Sequence, residues 1–250
     1  MRVYQHCVFD LYGTLVDIHT DETSPQLWEE MTLWYRDHGA LCEPDELRDG
    51  YFQTVRQLEH GASPLRRDAH EAHPEIRIEQ VFEQLFRHRG VEVTPELAIQ
   101  TGRHFRKASM RYIRLYDGAV ELLEALRANG QNVWLLSNAQ RIFTACELRE
   151  LGIADLFDGI YLSSDYGCKK PDRRFFDLLL KQRGIAPESA VMIGNDGLCD
   201  IRGAQAVGLA TLYIRSNLSP DEPLPPADYV LKKMDLQQVR HILTQGVKLP

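Results

Sequence analysis

After Asp117 the sequence switches repeatedly between two periodicities, and few folds are compatible with the result. "GAVELLEALRANG" has the spacing of a helix ending at Gly130, "QNVWLLS" reads as a buried strand, and "AQRIFTACELRELG" as a helix ending at Gly152. "DGIYLSS" is again a strand and "DRRFFDLLLKQRG" again a helix, and "SAVMIG" and "LATLYI" supply two more strands with "DIRGAQAVG" between them. Short buried strands separated by single helices pair in parallel, because the chain crosses back over the sheet before each new strand. Right-handed crossovers then cover both faces.

The N-terminal apolar run, about residues 3–9, has the length of one further strand. The next segment differs. From about Ser24 to Tyr112 the apolar spacing is helical: Leu27, Met31 and Trp34; Leu47, Tyr51, Val55 and Leu58; Val81, Phe82, Leu85 and Phe86. Ser24-Pro25 and Thr94-Pro95 have the form of N-caps followed by proline in the first turn. Near the C-terminus, "SPDEPLPPAD" is a surface loop and "MDLQQVRHIL" a closing helix. The expected architecture is α/β: a doubly wound parallel sheet formed by 1–18 and 113–250, interrupted by a helical bundle over 19–112 that forms its own small domain.

Bulk properties limit what such a chain can serve. A net charge of -7, with Lys and Arg scattered, argues against gripping a nucleic-acid backbone, and an acidic ligand needs a local basic site. Five cysteines, odd in number and without a C-x-x-C, suggest neither a disulfide framework nor a zinc knuckle and fit a reducing compartment. Apolar runs near the length of "VWLL" and an N-terminus without a signal-peptide core predict a cytoplasmic protein with no membrane partner.

The predicted strands end on "VFD", "LLSN", "YLSSD" and "MIGND". Parallel strands aim their carboxyl ends one way, so Asp10, Ser137, Asn138 and Asp196 should gather on one rim, where open α/β sheets place ligands. Each residue alone has an ordinary use, Ser and Asn as helix caps and Asp in turns. Their coincidence at several strand ends points to a site. Asp10, ending an apolar run where an unpaired charge is costly, is either satisfied by a partner or used.

These segments resemble the motifs of the haloacid dehalogenase superfamily of hydrolases: "FDLYGTLVD" its first, "LLSN" its second, "KKPDRRFF" with Lys170 its third, and "IGNDGLCDIRGAQAVG" its fourth. The helical insertion sits where that family carries a helical cap. The resemblance implies a Rossmann-like core, a mobile cap and Asp10 as nucleophile. Lys170 would offset charge repulsion, while Thr14 and Ser137 hydroxyls and backbone N–H groups, with Gly13 and Asn138 nearby, would hold the transferring oxygens. Asp10, Asp196, Asp200, Asn195 and the Tyr12 carbonyl make an oxygen-rich set suited to Mg²⁺. Asp10 and Asp196 are the favoured direct ligands, and Asp200 has the alternative of pairing with Lys170. The family's phosphatases usually show Gly-Asp where this chain has Gly194-Asn195-Asp196.

Tyr12 stands where most of those phosphatases carry a second Asp that protonates the leaving group, and tyrosine here is what 2-haloacid dehalogenases show. A phenol with pKa about 10 is poorly matched to proton delivery at neutral pH. The fourth motif, and Phe176 where dehalogenases carry Tyr, point the other way. Nor does the insertion hold an obvious halide-binding arginine, Arg36 and Arg48 being loose matches. The favoured reading is a Mg²⁺-dependent phosphatase acting on a small anionic metabolite. A dehalogenase and a weakly active ligand-binding relative are the alternatives. His19, Asp21 and Glu22 are candidates for a substitute acid. Trp28, Trp34 and Tyr35 read as bundle core before pocket lining. Arg66, Arg67, His70 and His73 read as a solvated loop before an anion or metal site. Cys168 and Cys199 read as passive fillers.

Overall fold

The first strand, β1 (His6–Phe9), is enclosed over its last three residues: Cys7, Val8 and Phe9 expose none of their surface. A computed structural model describes residues 4–62 and 73–245. In chain order β1 is followed by β2 (Val16–Thr20) and four helices, α1 (Pro25–Asp37), α2 (Pro44–Ala62), α3 (Glu79–Arg87) and α4 (Pro95–Ser109). Then come β3 (Met110–Leu115), α5 (Ala119–Ala128), β4 (Asn132–Ser137), α6 (Arg141–Glu150), β5 (Gly159–Leu162), the single turn α7 (Ser163–Tyr166) and α8 (Arg173–Arg183). The chain continues through β6 (Ala190–Gly194), a π-helical segment (Gly197–Arg202), α9 (Gly203–Ala206), β7 (Ala210–Ile214), β8 (Tyr229–Leu231) and α10 (Leu236–Gln245).

Among the described residues six strands form one parallel sheet in the order β5-β4-β1-β6-β7-β8. Both faces are covered, which is why its strands read as continuous apolar runs. Cys7 and Phe9 pack with Leu122 and Leu126 of α5 and Val239 of α10, while Val8 on the opposite face packs with Phe175 and Leu179 of α8. The strand order reverses beside β1, with β4 on one flank and β6 on the other. That is the switch point at which doubly wound sheets open a crevice.

Helices α1 to α4 share a separate core in which Trp28, Tyr51, Phe82 and Phe105 pack ring against ring, joined by Ile142 and Phe143 of α6. Trp28 and Tyr35 are buried there, and Trp34 donates its indole N–H to Thr101. Thr94 caps α4 by accepting the Leu97 N–H, whereas Ser24 precedes α1 without a side-chain cap bond and donates to Gln26 instead.

Two local expectations are corrected. The helical reading up to Tyr112 overshoots, because α4 stops at Ser109 and β3 pairs antiparallel with β2, from Val16 opposite Leu115 to Thr20 opposite Met110. Strand β8, three residues at the sheet edge, was also outside the expected set. Both arise from pairing between distant segments, to which a local period is blind. The ribbon is anchored at Asp17, whose buried carboxylate accepts from Arg114, Tyr112 and Asn217. Those bonds hold it below the usual carboxylate range, although burial opposes them. Among the described residues no helix is long and apolar enough to cross a membrane, and the five cysteines are unpaired.

Candidate active site

Parallel pairing puts Phe9 opposite Leu135 on one side and Ile193 on the other, so the chain leaves β1, β4 and β6 at one rim. Asp10 stays in register by donating its N–H to the Ile193 carbonyl, and its carboxylate meets two partners. Lys170 Nζ lies 2.8 Å from Asp10 Oδ1, and Ser137 Oγ donates to the same oxygen at 3.0 Å. Oδ2 stands outside both bonds. Lys170 also reaches Asp200 Oδ1 at 2.6 Å, and Asp200 Oδ2 accepts the Asp196 N–H at 2.9 Å, so both Asp200 oxygens are engaged by protein donors. With Ser137, Asn138, Asn195 and Asp196, these residues line a cavity of about 200 Å³.

The remaining residues brace this set. Asn138 clasps the Lys170 backbone from both sides, donating to its carbonyl and accepting from its N–H. Thr14, fully buried, donates to Asn195 Oδ1 at 3.2 Å, so its hydroxyl orients the amide. Gly13 has φ +84°, and a Cβ there would lie 2.3 Å from Asn195 Nδ2. Gly194 has the same necessity on the other side, since a Cβ would fall 2.2 Å from Asp200 Oδ2. Asp196 Oδ1 accepts the N–H groups of Leu198 and Cys199, as an N-cap does. Cys199 lines the same cavity, its thiol pushed up to about 12 by burial and by the charges of Asp196 and Asp200.

Burial alone would lower the Lys170 pKa, but Asp10 and Asp200 more than reverse that, so the ammonium is held well above its ordinary value. Burial, reinforced by the charge of Asp10 and opposed by Lys170, pushes Asp200 up to about 7. As pH falls through that value Asp200 takes a proton and loosens its hold on Lys170, whose charge then falls wholly on Asp10. Any reaction that uses the Asp10 carboxylate is expected to show an acid limb near pH 7 with a slope of one proton, and in Asp200→Asn its rate should be flat from about pH 5.5 to 8. A limb surviving in Asp200→Asn would assign it to another group. Linked stability has the opposite sign: with the folded pKa above the unfolded value of about 4, it favours the fold at acid pH and is lost as pH rises towards 7.

One cluster escaped the sequence reading. The Tyr12 hydroxyl donates to Glu147 of α6 and lies 3.0 Å from Thr144 Oγ1, and Glu147 Oε1 accepts from Arg106 Nε of α4 at 2.7 Å. The Arg106 guanidinium also sits over the Tyr12 ring, 5.6 Å from its centroid. Burial, and then the Glu147 charge, hold the phenol far above its ordinary pKa. The available signal was helical spacing: Glu147 lies four residues after Phe143 and three after Thr144, on their buried face. Of the substitute acids, His19 stacks on Tyr112 and Asp21 accepts from Thr23 and Arg111. Glu22 faces Tyr51 and Arg106 and is raised by burial. None of the three lines the cavity. His73 is held by its backbone to Asp172 and Lys169, and Arg66, Arg67 and His70 lie outside the described residues.

The chain is 32% identical over 161 residues to the phosphoserine phosphatase of Thermus thermophilus, a match spanning 64% of this chain and 63% of that protein. It is 24% identical to the HAD-hydrolase YfnB of Bacillus subtilis over 97% of each. The magnesium-bound structure of YfnB superposes with a TM-score of 0.55, covering 97% of this chain and 99% of that one. The 2-haloacid dehalogenase of Pseudomonas syringae pv. Tomato DC3000 superposes with a TM-score of 0.63 at 20% identity, covering 98% of this chain and all of that one. These superpositions establish a shared fold. The sequence profile of the haloacid dehalogenase-like hydrolases matches residues 4–208, and the chain belongs to that family.

Proposed function

We propose that the protein is a phosphatase in which Asp10 is the nucleophile, acting on a small anionic phosphorylated metabolite in the cytoplasm, with the helices α1 to α4 as its cap. The observation that carries the reading is the carboxylate of Asp10, fixed through one oxygen by Lys170 and Ser137 with the other outside those bonds. Oδ2 would attack phosphorus in line with the leaving oxygen, giving an aspartyl phosphate that water hydrolyses. Lys170 offsets the repulsion between carboxylate and phosphate, and Ser137 fixes the rotamer of the attacking group. The likeness to a phosphoserine phosphatase favours phosphorus over carbon as the electrophile.

Mg²⁺ suits the charge balance, since Asp10, Asp196 and Asp200 line the cavity against Lys170, the single cation lining it among the described residues. With both Asp200 oxygens engaged by protein donors, Asp10 and Asp196 remain, a donor set that fits a water-rich site of one or two carboxylates. Asp10 and Asp196 would hold the ion, with Asn195 and the Tyr12 carbonyl. Bound there, it would neutralise charge on the phosphoryl group.

One observation favours a second reading, 2-haloacid dehalogenation: Tyr12 is bonded to Glu147 and stands where a phosphatase acid belongs, and halide leaves without a proton. Phosphate and halide release from a panel of phosphate esters and 2-haloacids, with Mg²⁺ or with EDTA, separates the two. Phosphate release stimulated by Mg²⁺ is expected. Halide release unaffected by EDTA, without phosphate release, would replace the proposal with the second reading.

A further inference from the structure

Each hydroxyl beside the nucleophile already gives its proton to the protein: Ser137 to Asp10, Thr14 to Asn195 and Tyr12 to Glu147. The acids lining the cavity are no better placed. Asp200 is engaged at both oxygens behind Lys170, and Asp196 accepts two backbone N–H bonds. Glu147 itself is 4% exposed, paired with Arg106 and outside the cavity lining, and it meets the site through its bond to the Tyr12 phenol. An alkoxide leaving group needs a proton as its bond breaks, and a positioned donor is worth about 10²–10⁴ in rate.

We propose, on the basis of the phosphatase reading, that the substrates are phosphoryl compounds whose leaving group departs as a stabilised anion, acyl phosphates foremost, because Tyr12 is bonded away to Glu147 instead of facing the leaving oxygen. The steps balance without a proton donor. Asp10 Oδ2 bonds to phosphorus as the bond to the acyl oxygen breaks, and the electron pair leaves on a carboxylate of pKa about 4. Water then attacks the phosphorus of the aspartyl phosphate, the Asp10 oxygen regains its electron pair, and the sum is acyl phosphate plus water giving carboxylate plus dihydrogen phosphate. Glu147 and Arg106 are positioning residues in this scheme. They hold the phenol together, Glu147 by accepting its hydrogen bond and Arg106 by bonding Glu147 and lying over the ring.

Benzoyl phosphate and benzyl phosphate are matched in size and differ in leaving group. With spontaneous hydrolysis subtracted, the wild-type kcat/KM ratio is expected to exceed about 10³ in favour of benzoyl phosphate. Tyr12→Phe should scale both rates by the same factor within about threefold. Tyr12→Asp, which restores a carboxylic acid beside the nucleophile, should narrow the gap at least about tenfold by raising the benzyl phosphate rate. Wild-type rates within tenfold of each other, or a loss in Tyr12→Phe confined to benzyl phosphate, would overturn the inference while leaving the phosphatase reading intact. An unchanged gap in a Tyr12→Asp protein that still hydrolyses benzoyl phosphate would do the same. If Tyr12→Asp does not fold, Tyr12→Phe carries the test. Turnover of neither compound by wild type would remove the phosphatase reading, and this inference with it.

Discussion

Asp10→Asn is expected to lower kcat/KM on any accepted substrate by at least about 10³-fold with little change in stability. The amide keeps the size of the carboxylate, and its oxygen still accepts from Ser137 and Lys170, while Lys170 retains Asp200 as counter-ion. The substitution removes the anionic oxygen that would form the proposed covalent bond, while both Asp200 oxygens are bonded and Asp196 Oδ1 accepts backbone N–H groups. Initial rates beside a thermal melt check both halves. A folded Asp10→Asn protein retaining more than a tenth of the activity would show that Asp10 is not the nucleophile.

The second large effect falls on stability. Lys170 is 2% exposed and bridges two buried carboxylates, so Lys170→Met leaves Asp10 and Asp200 with no cation between them. Removing one partner from such a set costs about 3–5 kcal/mol, chiefly from the uncompensated charge left behind. For a chain of this length that is a fall in Tm on the order of 10 °C. The loss should shrink at acid pH, where Asp200 accepts a proton, and Lys170→Met/Asp200→Asn should recover part of it at neutral pH. Denaturant melts at pH 5.5 and 8 measure this. Equal losses at both values would mean that the two carboxylates are not what Lys170 balances.

Much of this architecture was legible because it is written in local periods. Strands buried on both faces must be continuously apolar, so "QNVWLLS" and "SAVMIG" announced β4 and β6, and the polar residues at their carboxyl ends announced the rim where Ser137, Asn138 and Asp196 line one cavity with Asp10. Illegible were features set by distant partners. Met110–Leu115 has no strand character until Val16–Thr20 pairs with it, and Arg106 is an ordinary helix-end arginine until Glu147 arrives from another helix. The pairing of Asp200 with Lys170 was legible only as an alternative, because the choice is made by distant partners. Asp196 and Asp200 are near neighbours in sequence, yet one accepts backbone N–H groups at a helical start and the other is locked to Lys170. That assignment depends on the close passage of Gly194, where a side chain would overlap Asp200.

The central position of β1 also orders events during synthesis. Its four residues are the first strand to emerge, yet they find hydrogen-bonding neighbours only when residues 132–135 and 190–193 have been made. At about 5–20 residues per second that is a wait on the order of 10–40 s, during which an apolar segment stays without its sheet. Nearly all of the helical core of α1 to α4 lies between these events, so it can collapse locally first. Nascent chains halted before residue 132 should therefore hold most of the helical unit and a β1 segment with neither sheet neighbour, the form of this chain most in need of a chaperone.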